Sequence, residues 1–61
     1  MTASEIERGM TILIDDVPRE IVNVYSQSTP PSVKVFYYDD ENTRTRKVYL
    51  PDDEVEQVVA P

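Results

Sequence analysis

Apolar and polar positions alternate in short stretches along this chain, and that alternation predicts strands. Residues 10–14, M-T-I-L-I, put Met10, Ile12 and Ile14 on one face. Asp15-Asp16-Val17-Pro18 follows and predicts a turn, because Asp favours turn geometry and Pro cannot donate to a strand ladder. A longer strand is expected over 19–27. There Ile21 and Val22 are adjacent and break the period of two, as a bulge or strong coil in a bent strand would. The polar run Ser26-Gln27-Ser28-Thr29-Pro30-Pro31-Ser32 reads as a loop, with Thr29 and Pro30 held extended by the prolines after them.

In the third strand, 33–38, Val33, Val35 and Tyr37 share one face, and Lys34, Phe36 and Tyr38 the other. Asp39-Asp40-Glu41-Asn42-Thr43 predicts a tight turn into a fourth strand over 44–50, where Arg46, Val48 and Leu50 oppose Thr45, Lys47 and Tyr49. Pro51-Asp52-Asp53-Glu54 reads as one helical turn, since Pro suits its first position and acidic side chains its N-terminus. A last strand is expected over 55–59, ending at Ala60-Pro61. At the other end, Thr2 to Arg8 read as a frayed turn with Ser4 as cap and Glu7 three positions on. Gly9, the only glycine, is expected where φ is positive or the backbone crowded.

Four strands, a helical turn and a fifth strand make the order of an all-β, five-stranded SH3-like barrel. Curling the sheet covers most strand edges in few residues, whereas a flat sheet without helices would expose an apolar face.

Composition narrows the function classes. Sixty-one residues support a single domain, 1–61, with 1–8 as its frayed part. The absence of Cys and His excludes disulfides, thiolate or imidazole metal sites and nucleophile–His catalysis. No apolar run approaches the ~20 residues that span a bilayer, and no apolar h-region opens the chain. The expectation is a soluble, cytoplasmic protein without a cofactor. Twelve acidic against six basic residues give a formal charge of -6, which repels nucleic acid at long range unless the basic residues cluster.

The stretch I-E-R-G-M-T-I-L-I-D-D-V-P-R-E-I-V-N-V resembles the N-terminal, KOW-type SH3-like domain of elongation factor P and its hypusine-bearing relatives. The matching residues are Ile6, Gly9, Met10, Ile12, Leu13, Asp15, Pro18, Ile21, Val22 and Val24, and the ending D-D-E-V-E is similar to the close of that domain. The resemblance covers the first 24 residues well and the rest loosely, and it implies a fold more than an activity. In those factors the loop after the second strand carries a modified lysine. Here S-Q-S-T-P-P-S has no Lys, so no modification site carries over.

Paired carboxylates at Asp15-Asp16, Asp39-Asp40-Glu41 and Asp52-Asp53-Glu54 lie in turns and read as solvated turn residues, since acid–base catalysis needs carboxylates converging in a cleft. A divalent cation at Asp39 to Asn42 is disfavoured, because the run lacks the glycine and spacing of a calcium loop. Arg44, Arg46 and Lys47, with Lys34 on the neighbouring strand, could meet a phosphate chain beside Tyr38 and Tyr49. Cross-strand pairing with Asp39–Glu41 and Asp52–Glu54 is the plainer role for them. Parity sends Tyr37 to one face and Phe36 with Tyr38 to the other, so one aromatic set fills the core and the other is left to pack under loops, dock a protein or cage a methylated ammonium.

The expectation is therefore a non-enzymatic binding module. Its surface is Phe36, Tyr38, Tyr49 and Tyr25, rimmed by Lys34, Arg46 and Lys47, and its partner is a protein. Self-association through an open edge is a further route. The alternatives are a nucleic-acid- or ribosome-associated barrel and an acidic, phage-type decoy of a nucleic-acid-binding protein. No membrane partner is expected.

Overall fold

The computed structural model describes residues 1–59. It is all-β apart from one 3-10 turn at Ala3–Glu5. The strands are β1 (Thr11–Ile14), β2 (Val17–Glu20), β3 (Asn23–Ser28), β4 (Pro31–Tyr38), β5 (Arg44–Tyr49) and β6 (Gln57–Val58). They form two antiparallel three-stranded sheets, ordered β2-β1-β6 and β3-β4-β5. No helix among the described residues is long and apolar enough to cross a membrane.

Six strands replace the five expected, because the long second strand divides at Ile21-Val22. Ile21 N–H donates to the Met10 carbonyl of the first sheet at 2.8 Å, and Val22 N–H donates to the Phe36 carbonyl of the second at 2.9 Å. The apolar pair is the corner at which the chain leaves one sheet for the other, and Ile21 is fully buried between them. The alternating residues of β1 and β4 supply half of the core: Ile12, Ile14, Val33 and Val35 are buried with Ile21, joined by Ala3, Ile6 and Val55. Each such Ile or Val contributes about 1.5–3 kcal/mol by leaving water.

The turns are tighter than the sequence suggests. Ile14 pairs with Val17, so the first hairpin turn is Asp15-Asp16 alone, both with positive φ (52° and 67°). That is the geometry of a two-residue hairpin turn. Val17 and Pro18 belong to β2, where Pro is tolerated because β2 is an edge strand of its sheet. Ser28 pairs with Pro31, so the expected seven-residue loop shrinks to Thr29-Pro30, joined by a cis peptide bond, and β3 and β4 zip up to it. Gly9 has φ +96°, as its lone occurrence suggested.

The termini also differ from expectation. Pro51 and Asp52 form a hydrogen-bonded turn, not a helix: Asp53 N–H donates to the Leu50 carbonyl at 3.0 Å, and Leu50 N–H to Asp53 Oδ2 at 2.9 Å. The 3-10 turn lies at the N-terminus instead, where the Glu5 carboxylate, not Glu7, reaches back to the Thr2 N–H at 2.9 Å. This segment, read as frayed, is tied down: Ala3 N–H donates to the Asp53 carbonyl (2.8 Å) and Ser4 N–H to the Pro51 carbonyl (3.0 Å). Val55 N–H likewise donates to the Met1 carbonyl (2.9 Å). These bonds occupy Val55, so the last strand contracts to Gln57–Val58. Ala60 and Pro61 lie outside the described residues.

Two cations clasp the open sides of the sandwich. Arg19, opposite Ile12 on the inward side of edge strand β2, reaches Asp40 in the β4–β5 turn at 2.9 Å and lies over the Tyr37 ring at 5.8 Å. Lys47, opposite Val35 on the inward side of edge strand β5, reaches Asp15 in the β1–β2 turn at 3.5 Å and lies over Tyr49 at 5.4 Å. Each sheet thus sends an edge cation across to the other sheet's hairpin turn.

Candidate functional site

Register decides which side chains share a surface. Lys34 pairs with Tyr25 and Val48, and Phe36 pairs with Asn23 and Arg46. Tyr38 pairs with Arg44. Directly opposed residues point to the same side of a sheet, so Tyr25, Lys34, Phe36, Tyr38, Arg44, Arg46 and Val48 share the outward face of β3-β4-β5. Tyr49 pairs with the buried Val33 and Lys47 with the buried Val35, so these two lie on the inward face.

Of the seven residues singled out in the sequence, the structure brings five together: Tyr25, Lys34, Phe36, Tyr38 and Arg46. Tyr49 and Lys47 are separated from them by the thickness of the sheet. Tyr49 is half-buried against the core, and burial pushes its phenol up, partly offset by the Lys47 ammonium beside it. Arg44, read in the sequence as part of the basic segment but not of the expected docking surface, belongs to the face. Its parity with Arg46, two positions along the same strand, was the available signal.

The face has an aromatic centre. Tyr25 meets Phe36 edge to face, with centroids 5.7 Å apart and planes at 86°. The Arg44 guanidinium lies 4.6 Å from the Phe36 centroid, a cation–π contact. Asn23 Nδ2 donates to the Tyr25 hydroxyl at 3.3 Å. Tyr25, Phe36, Arg44, Thr45 and Arg46 line an open depression of about 530 Å³. A depression of similar size, about 570 Å³, is lined by Met1, Glu54, Val55 and Glu56 among others, where carboxylates replace the arginines and no aromatic ring contributes.

Charge separates the face from the rest of the chain. All twelve acidic residues lie outside β3, β4 and β5, several of them in the flanking turns, and these three strands carry four of the six basic ones. The sequence suggested that Lys34, Arg44 and Arg46 would pair with carboxylates of the flanking turns. Among the described residues they form no ion pair; of that basic group only Lys47 does, and with Asp15.

The flanking carboxylates have other work. Asp39 accepts the Glu41 and Thr43 N–H groups, each at 2.9 Å, and closes the β4–β5 turn around Asn42, whose φ is +60°. The Thr43 N–H foremost, against some desolvation, holds the Asp39 carboxyl below its ordinary range, with help from Glu41 and Thr45. Asp40 holds Arg19, and Asp53 caps the turn before it. Among the described residues, no three carboxylates gather into a group that could hold a metal ion.

Comparison of the chain with protein-family profiles, with curated proteins and with solved structures found no match.

Proposed function

We propose that this chain is a non-enzymatic binding module of SH3-like type, which docks a protein partner on the outward face of β3-β4-β5. The observation that carries this reading is a set of three cations, Lys34, Arg44 and Arg46, without carboxylate partners around exposed aromatic rings. Tyr25 is 58% exposed and Tyr38 48%, on a chain whose other basic and aromatic side chains are mostly engaged inside. Rigid aromatics supply buried area at low entropic cost, and the cations around them set orientation and select an acidic partner. The passage of the chain from one sheet into the other at Ile21-Val22 supports an SH3-like barrel of the kind implied by the likeness to the elongation factor P domain.

Affinity capture from the native cell tests the reading when each captured protein is purified and titrated directly. A Tyr25→Ala, Arg46→Glu variant is expected to lose at least roughly tenfold in affinity, because truncating a central aromatic anchor and reversing a rim charge each weaken such interfaces. A Glu7→Gln variant, in the segment before β1, should bind as the wild type does. Equal binding by the face variant overturns the proposal. So does a single-stranded nucleic acid as the high-affinity ligand, recognised by a steep fall of binding with salt.

A further inference from the structure

The outward face ends at an unpaired strand edge. Among the described residues β5 pairs with β4 alone, so its other side presents a row of backbone N–H and C=O groups to solvent. Along that edge the outward side chains of β5 are Arg44, Arg46 and Val48, and Leu50 follows just past the strand end, where its backbone is tied to Asp53. Two unpartnered cations come first and two apolar residues follow, with Val48 55% and Leu50 62% exposed. The inward position between them, Lys47, is already committed to Asp15.

From this edge we infer that the partner contributes an extended peptide segment, which adds to β5 as an antiparallel strand and carries apolar residues followed, at every second position, by acidic ones. The inference rests on the proposed use of the outward face and names the chemistry of its ligand. Antiparallel addition lays the first outward residue of the incoming strand beside the Leu50 side chain, past the last backbone pairing, and places the next outward residue against Val48. The following two then meet Arg46 and Arg44. Apolar side chains in the first pair of positions cover Val48 and Leu50, and carboxylates in the second pair neutralise the arginines. The alternate residues point to the inward side of β5, the side of the Lys47–Asp15 clasp.

Charge and edge together select this occupant. A second copy of the chain would bring β5 against β5 and oppose Arg44 and Arg46 to apolar residues or to each other, with no carboxylate on either strand. A nucleic acid would engage the cations and rings but leave the backbone edge, Val48 and Leu50 without a role.

The test is nuclear magnetic resonance of the ¹⁵N-labelled full chain with a capped heptapeptide, isoleucine-threonine-valine-threonine-glutamate-threonine-glutamate. Shifts along β5 and slowed hydrogen exchange at alternate β5 amides are expected. Replacing both glutamates by lysine should weaken binding by roughly tenfold or more. An Arg44→Glu, Arg46→Glu variant, whose dispersed spectrum shows that it is folded, should reverse that preference. Absence of binding at about millimolar peptide overturns the inference. Shifts confined to Tyr25, Phe36 and Tyr38, with β5 exchange unchanged, overturn strand addition while leaving the docking face standing. Equal binding of both peptides overturns the charge selection. A β5-mediated dimer in sedimentation, or preference for a ~12-nucleotide oligouridine that collapses with salt, replaces the peptide with a second copy or a nucleic acid.

Discussion

The inward edge cations and the outward ones are the same residue types in opposite circumstances. Arg19 and Lys47 each lie over a tyrosine ring and reach an aspartate of the opposite sheet. Arg44 also lies over a ring, that of Phe36, but neither it nor Lys34 nor Arg46 meets a carboxylate. The inward pair helps hold two sheets together. The outward set has charge to spare, in a chain whose formal charge is -6. Composition alone hides this difference, because acidic residues outnumber basic ones twofold. The location of the unpartnered cations, not the net charge, is what the proposed docking face rests on.

Substitutions can break that contrast. The largest effect is expected in the core: Ile12→Ala, fully buried at the centre of the first sheet, should cost about 2–4 kcal/mol and leave the domain barely folded in a urea titration. Val48→Ala, an apolar truncation on the outward face, should change stability by less than ~0.5 kcal/mol. An equal cost for both would mean that the outward face is packed against something in the free chain.

A smaller effect separates the two kinds of arginine. Arg19→Met should lower stability by about 1 kcal/mol, since it removes a stack on Tyr37 and a pair with Asp40 whose partner is largely solvated. Arg46→Met should leave the Tm within about one degree. Comparable losses would place both cations in structural roles.

The smallest effect concerns pH. The Asp39 carboxyl is held low by the Thr43 N–H, so its contribution is fully present above the ordinary carboxylate range. It is lost as pH falls through the lowered pKa. Glu5, held low by Thr2, behaves in the same sense. Asp39→Asn keeps an acceptor for the turn, so thermal melts from neutral to acidic pH should show a shallower loss of Tm than wild type. A parallel loss would assign acid sensitivity to other carboxylates.

Much of the face is legible in the amino-acid sequence. Strand parity alone placed Lys34, Phe36 and Tyr38 opposite Val33, Val35 and Tyr37, and the structure has them so. Parity also separated Arg46 from Lys47 and Tyr49 on β5. The expected surface nevertheless mixed the two sets, because spacing along one strand does not say which side of it faces the core. The outcome depends on register with the neighbour: Val33 against Tyr49 turns the whole odd-numbered set inward. The polar loop over 26–32 was misjudged for a related reason. Its serines have modest strand preference, and it is pairing with β4 that draws Ser26, Gln27 and Ser28 into a strand.

The amino-acid order by itself determined an all-β chain, its turn positions and the alternation that divides core from surface, since period and turn chemistry are local properties. Tertiary structure decided three further matters. It divided the long strand at Ile21-Val22 and tied the N-terminus to residues 51–55. It also set Arg19 and Lys47 inward against distant aspartates, while Lys34, Arg44 and Arg46 remained without carboxylate partners. Each depends on contacts between residues far apart in the chain, whose pairing follows from how two sheets bury a common core.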